Sequence, residues 1–205
     1  MTDTSDRRIT TIATILLSVA ALATSWASYQ ATLWSGDQTA QANQAVALRT
    51  RSQEAFAISL TLRTVDVGVW IQWLAAYSGK DTSLANFLAA RIRPEFKPAF
   101  DGWLASNPRA PEAEPTPFTM PQYRLSSQLE ATKLERAADS LLALSDHSNK
   151  VGDAYVLDAV LLATVMFFAS TVQQTARSRT RILLVSIAGV MFFAAMMRLA
   201  TSPVG

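Results

Sequence analysis

The stretch Ile9–Tyr29 contains no charged residue, no glycine and no proline. An α-helix rises ~1.5 Å per residue, so roughly 20 such residues cross the ~30 Å hydrocarbon core of a bilayer. Two later stretches, Ala154–Val172 and Ile182–Ala200, have a similar length and are nearly as apolar. The sequence therefore predicts three transmembrane helices.

The composition agrees with this interpretation and excludes several classes of function. Hydrophobic residues make up 50% of the chain, which is too apolar for an ordinary soluble domain. The net charge is only +2, and no basic patch suggests a nucleic-acid partner, which requires clustered Lys and Arg to neutralise phosphates. The chain has no cysteine, so disulfides, thiolate catalysis and zinc–thiolate sites are excluded.

The first apolar stretch has two interpretations. Arg7 and Arg8 precede it, as expected both of a membrane anchor with a cytoplasmic amino terminus and of a cleavable signal peptide. Small residues at 21–23 or 25–27 would suit a cleavage site. However, Trp26, Tyr29 and Trp34 follow where an interfacial aromatic belt would lie, and the helical composition continues through the candidate cleavage sites. We therefore expect the first span to be retained.

Basic residues also predict the orientation. Arg177, Arg179 and Arg181 lie in the short loop between the second and third spans, and such loops stay in the cytoplasm. Together with Arg7 and Arg8, they place the amino terminus inside and the carboxyl terminus outside. The predicted segments are a cytoplasmic tail at 1–8, transmembrane helices at 9–29, 154–172 and 182–200, an extracytoplasmic domain at 30–153, a basic cytoplasmic loop at 173–181 and an extracytoplasmic tail at 201–205.

The predicted extracytoplasmic domain begins as a continuation of the first span. Residues 37–77 lack proline and are rich in good helix formers, so we expect one long helix. Its main apolar stripe should be Leu62, Val65, Val69, Trp73 and Ala76. Gly79 suits the left-handed conformation that ends a helix, and Asp81 or Thr82 can cap the next one.

Two short helices, Ser83–Ile92 and Pro94–Ala105, should then fold over the long helix. A proline-rich segment at 107–121 follows, and Phe118 and Met120 should hold its second half against the body. A second long helix starts at Gln122 and runs into Ala154–Val172. The fold class is therefore all-α, with the first two spans extended into a long antiparallel helical hairpin capped by short helices.

Small and hydroxyl-bearing residues recur along the first span at spacings of three and four, which places them on one face of a helix. We interpret this face as either a helix-packing surface or the lining of a pore. Its members are Thr10, Thr14, Ser18, Ala21, Ser25 and Ser28.

Charged residues inside the other two spans form a second candidate site. Asp158 lies near the start of the second span and Arg198 near the end of the third, so both should lie at the outer interface and pair, because pairing reduces the cost of a charge in lipid. A proton relay is the alternative. His147 is the only histidine, and a single histidine without cysteines or an acidic cluster is no metal motif. We expect no cofactor and no metal site.

Four segments of the chain resemble a family of small bacterial inner-membrane proteins. They are Trp26–Gln38 (WASYQATLWSGDQ), Asp66–Trp73 (DVGVWIQW), Arg93–Leu104 (RPEFKPAFDGWL) and Pro117–Tyr123 (PFTMPQY). The resemblance implies a bacterial cytoplasmic membrane and a retained first span. It implies no catalytic residues.

Three functional classes follow, none of them enzymatic. The first is an interaction or assembly protein that binds the bilayer, further copies of itself and other envelope proteins. The second is a homo-oligomeric channel lined by the Thr/Ser face of the first span. The third is an envelope sensor, by analogy in outline with chemoreceptor ligand domains, although the short cytoplasmic segments leave little room for an output domain.

Overall fold

The computed structural model describes residues 2–108, 110 and 112–205, with side chains from residue 7 onward. The described chain is helical and contains no strand, which confirms the predicted all-α class. Its α-helices are α1 (Thr2–Ser78), α2 (Thr82–Ala89), α3 (Lys97–Ala105), α4 (Ser126–Gln174) and α5 (Ser178–Thr201), with one 3-10 turn at Pro117–Thr119. Three of them, α1, α4 and α5, are long and apolar enough to cross a membrane, as predicted.

The end of α1 shows how the chain turns. The helix ends at Ser78, and Asp81 caps α2 by accepting a hydrogen bond from the Leu84 amide at 2.9 Å. The expectation of a left-handed Gly79 is wrong, because Lys80 takes that conformation with φ 59°. A Cβ at Gly79 would lie 3.2 Å from the Ala75 carbonyl oxygen, so this position has little room for a larger residue.

Helices α3 and α4 begin later than predicted. Residues 94–96 form a turn, and α3 begins at Lys97 with Pro98 in its first turn, where proline is tolerated. Likewise α4 begins at Ser126, four residues after Gln122. The intervening chain is drawn into the core, where Leu125 is buried.

The chain packs as two compact units, to both of which α1 and α4 contribute. The span unit comprises Met1–Asn43 and Leu141–Gly205, and the cap unit comprises Gln44–Ser140. Each unit has its own hydrophobic core.

The core of the span unit consists largely of small residues on α1 and α5 and larger ones on α4. Ala20 and Ala23 of α1 pack with Leu162 and Val165 of α4 and with alanines of α5. Small residues let helices approach closely in lipid, where no hydrophobic drive brings them together. Large apolar side chains cover the outside, as expected of a lipid-facing surface: Leu22, Phe167, Val190 and Phe193 are among the most exposed.

In the cap unit, buried residues recur every seven positions along α1, in the heptad pattern of packed helices. They are Ala45, Ser52, Ser59, Asp66 and Trp73. Ala131 and Ala138 are their counterparts on α4, and the Ser52 hydroxyl donates to the Ala131 carbonyl at 2.8 Å. The predicted apolar stripe is therefore only partly right: Trp73 and Ala76 are buried, but Val65 is 53% exposed.

Aromatic residues close the cap unit where the two short helices pack on α1. Trp73 lies against Phe100 of α3 with ring centroids 4.9 Å apart, and Phe96 stacks on Phe118 at 5.1 Å. Phe118 and Met120 both pack against this cluster, which confirms that the second half of the proline-rich segment is held to the body.

Candidate interaction site in the cap unit

A buried ion pair joins α1 to the segment that follows α2. Asp66 is 2% exposed and accepts two hydrogen bonds from Arg93, from Nη2 at 2.8 Å and from Nε at 3.3 Å. The Tyr123 hydroxyl donates to the same carboxylate at 3.0 Å. A buried charge is tolerated only when it is paired and hydrogen-bonded, and here both carboxylate oxygens have partners.

Glu95 extends this network to the start of α4. Its carboxylate pairs with Arg93 and accepts hydrogen bonds from the Ser126 hydroxyl at 2.6 Å and the Ser126 amide at 3.3 Å. The first turn of α4 has no acidic residue of its own, so Glu95 supplies the negative charge that the positive end of the helix dipole favours. The segment 93–95 is thereby attached to both long helices.

The pKa shifts in this network all favour the ordinary charge states of the groups at neutral pH. The hydrogen bond to Asp66 raises the pKa of Arg93, and burial followed by the charge of Asp66 raises the pKa of the Tyr123 phenol. The Ser126 hydroxyl, followed by Arg93, lowers the pKa of Glu95. These directions keep Arg93 cationic, Tyr123 neutral and Glu95 anionic near pH 7.

The cap unit also contains a cavity of about 380 Å³. It is lined by four aromatic residues, two leucines, two prolines and two polar residues: Trp70, Trp73, Tyr77, Trp103, Leu74, Leu104, Pro108, Pro115, Ser78 and Asn107. Trp73 and Tyr77 stack at 4.9 Å with an interplanar angle of 14°. The Trp103 indole donates to the Glu114 carbonyl at 2.8 Å, which fastens part of the proline-rich segment at the cavity.

This cavity has the properties of a binding site for an apolar group. Ligand sites are typically concave, ~300–1,000 Å³ in volume and lined by aromatic side chains with few polar groups. Aromatic grooves are also the usual receptors for extended proline-rich segments, because such segments lose little conformational entropy on binding. The sequence did not single out this cavity, since its walls come from distant parts of the chain.

The structure places the predicted hydroxyl stripe of α1 on the surface of the chain. Thr14, Ser18, Ala21, Ser25 and Ser28 are all exposed, and the buried line of the helix consists instead of alanines and Gln30. Hydroxyls of this stripe donate hydrogen bonds to carbonyls within α1: Ser18 donates to the Thr14 carbonyl and Ser25 to the Ala21 carbonyl, each at 3.0 Å. Thr10, at the start of the stripe, is half-buried.

The structure also brings Asp158 and Arg198 together, with Arg198 Nε 2.7 Å from Asp158 Oδ1. The pair is asymmetric, because the Asp158 side chain is fully buried whereas that of Arg198 is 47% exposed. Asp158 Oδ2 has no hydrogen-bond partner among the described residues. Removing Arg198 should therefore destabilise the protein more than removing Asp158.

The remaining predicted residues belong to the span unit. Arg181 donates to Thr10 Oγ1 at 2.6 Å, while Arg7, Arg8, Arg177 and Arg179 are exposed. His147 is exposed, with its ring edge-on to Trp34 at 6.2 Å. No group of three or more His, Cys, Asp or Glu residues suited to a metal ion occurs among the described residues.

Sequence reasoning missed Asp66 and Glu95 as partners of Arg93, and Tyr123 as a partner of Asp66. A signal for one of them was present, because Asp66 is the only charge in the apolar run from Val65 to Leu74. A charge inside such a run needs a partner if the run is buried. The identity of that partner depends on the fold of the α2–α3 region.

We expect Arg93→Leu to lower the free energy of unfolding by ~3–5 kcal/mol, because it leaves a buried carboxylate unpaired. The matched control is Lys97→Leu, since the Lys97–Asp101 pair is exposed and should contribute ~0–1 kcal/mol. Urea unfolding of the detergent-solubilised protein, followed by tryptophan fluorescence, measures both. Equal losses for the two variants would contradict a role for the buried pair.

Because of Glu95, the stability of the cap unit should fall at acidic pH. Its folded pKa is depressed below the ordinary value of 4.5, so its contribution is complete above that value and is lost as the pH falls through the folded pKa. Glu95→Gln should flatten the decline of the urea midpoint between about pH 6 and pH 3. Glu135→Gln, at an exposed position of α4, should leave the decline unchanged.

Arg198→Leu should lower the melting temperature in detergent more than Asp158→Leu does. The first change leaves a fully buried carboxylate without a partner, whereas the second leaves an arginine that reaches solvent or headgroups. The double variant should recover part of the loss. Unchanged melting in both single variants would show that the pair contributes nothing to stability.

No protein-family model, curated protein or solved structure matches this chain. The resemblance to small bacterial inner-membrane proteins therefore stays a prediction. Three of the segments that carry it, Asp66–Trp73, Arg93–Leu104 and Pro117–Tyr123, supply Asp66, Arg93, Glu95 and Tyr123 of the network and much of the aromatic cluster.

Proposed function

We propose that this protein is a non-enzymatic, multi-pass protein of the bacterial cytoplasmic membrane that acts as an interaction and assembly module. Its spans would anchor an extracytoplasmic helical hairpin, with the amino terminus inside and the carboxyl terminus outside. The three apolar helices and the arginines at 7–8 and 177–181 support this placement.

The contacts between the two long helices support the hairpin. In the span unit Trp34 lies beside Gly152, and the Ser145 hydroxyl donates to the Gln38 carbonyl at 3.0 Å. In the cap unit Arg49 pairs with Asp139, and Ser52 with Ala131. Within each unit the residue number along α4 falls as that along α1 rises, which is the pattern of an antiparallel pair.

The observation that carries the proposal is the open aromatic cavity of the cap unit. A cavity with tryptophan, tyrosine and proline walls fits an extended apolar or proline-containing segment of another protein. A second copy is the first partner to test; its proline-rich segment already lines its own cavity through Asn107, Pro108 and Pro115, so the second copy would contribute another surface. The network around Asp66 and Arg93 would keep the walls in place before binding, which reduces the entropy lost on association.

Leu104→Glu tests this proposal, because Leu104 lines the cavity yet is 37% exposed, so the change should leave the fold intact. We expect the wild-type protein to form oligomers in lipid nanodiscs, and Leu104→Glu to weaken their association at least tenfold, as measured by native mass spectrometry. Leu129→Glu, at an exposed position of α4, is the control and should not change it. A monomeric wild-type protein would contradict self-assembly, and equal association of both variants would exclude the cavity.

The outward position of the Thr/Ser face of α1 favours a second candidate, a homo-oligomeric channel. The exposed hydroxyls of Thr14, Ser18, Ser25 and Ser28 could surround a symmetry axis if several copies associate through α1. Conductance in planar bilayers that changes in Ser18→Leu would favour the channel. Electrically silent protein that nevertheless forms oligomers would favour the assembly module.

A further inference from the structure

Two arginine-rich segments of the span unit meet at one end of α1. Arg181 lies in the first turn of α5, and its guanidinium donates to Thr10 Oγ1 at 2.6 Å. Arg177 and Arg179 precede this contact by four and two residues on one side, and Arg7 and Arg8 precede it by three and two residues on the other. Five arginines therefore lie within four residues of this contact in the sequence, next to the start of an apolar span.

The excess of positive charge at this end is open to solvent. Arg7, Arg8, Arg177 and Arg179 are exposed and form no ion pair with a described side chain. The only acidic residues in the sequence of the two segments are Asp3 and Asp6, which the five arginines outnumber. The two segments therefore carry a net positive charge.

A shallow, open groove lies on the surface of α1. It has a volume of about 520 Å³ and is lined by Arg7, Thr10, Thr11, Thr14 and Ile15. Along the helix the lining begins with Arg7, continues with the three threonines and ends with Ile15, which is 56% exposed. Its lining thus changes from cationic through polar to apolar within about two turns of helix.

We propose that this groove binds the headgroup of an anionic glycerophospholipid. The order of charge, hydroxyl and hydrocarbon matches the order of phosphate, glycerol and acyl chain in such a lipid. Guanidinium groups bind phosphate oxygens through paired, charge-assisted hydrogen bonds, and basic pockets beside transmembrane helices are known to hold anionic headgroups. The site lies where a headgroup would be if α1 crosses a bilayer with Ile15 in the hydrocarbon.

A free phosphate ion would use only part of this site. It would satisfy the guanidinium groups but leave the apolar end of the groove uncovered, so the lipid fits the whole lining better. This inference goes beyond the proposed assembly function and does not depend on it, since the cavity of the cap unit shares no residue with the groove.

Titration of the detergent-solubilised full chain tests the proposal, with dioleoylphosphatidylglycerol, dioleoylphosphatidylcholine and inorganic phosphate as the three probes. Native mass spectrometry counts bound lipid, and the shift in melting temperature reports its effect. We expect the anionic lipid to bind at least tenfold more tightly than the zwitterionic one, with phosphate producing no comparable shift. Raising the salt concentration should weaken the binding, because exposed charges are screened.

The double variant Arg7→Gln/Arg8→Gln should weaken binding of the anionic lipid at least fivefold, and Arg177→Gln/Arg179→Gln should weaken it as well. The control is Arg51→Gln/Arg136→Gln, which removes two exposed arginines of the cap unit and should leave binding unchanged. Equal binding of both lipids, an equal shift with phosphate alone, or unchanged binding in both arginine variants would each overturn the proposal. Melting without lipid, expected to be alike in all variants, checks that they are folded.

Discussion

The structure of the cap unit depends on the pairing of Arg93 with the buried carboxylate of Asp66. An aspartate at a heptad position of α1 cannot remain buried among helices unless a cation reaches it. The turn between α2 and α3 enters the core and brings the guanidinium of Arg93 to this carboxylate. The pair therefore fixes the path of the chain between α2 and α3, and with it the position of Phe96, which is fully buried against the aromatic cluster.

The size of the buried residues explains why a cavity exists in this unit. Along α1 the heptad positions change from alanine and serine to aspartate and then to Trp73. Alanine and serine allow α4 to approach α1 closely, whereas a tryptophan requires more space. The short helices and the proline-rich segment fill that space with Phe100, Trp103 and Phe118, and large flat rings leave a gap where they do not interdigitate.

Much of the secondary structure could be predicted from the sequence, because long apolar runs and the absence of proline leave few alternatives. The site could not. Periodicity identifies which residues share a helix face, but it does not say what that face contacts: the hydroxyl stripe of α1 shares a face as expected and still lies on the surface. Ser52 and Asp66 are polar yet buried, because partners from distant segments form hydrogen bonds with them. Such partners are set by tertiary structure alone.

The short segment Arg93-Pro94-Glu95 has a consequence for the dynamics of the molecule. Arg93 is bound to Asp66, twelve residues before the end of α1, and Glu95 to the first residue of α4, while the proline between them restricts the backbone. Loops of this length usually fray independently of the helices they join. Here any opening that releases the segment also uncaps α4 and exposes the Asp66 charge, so amide hydrogens throughout residues 79–125 should exchange as one cooperative unit.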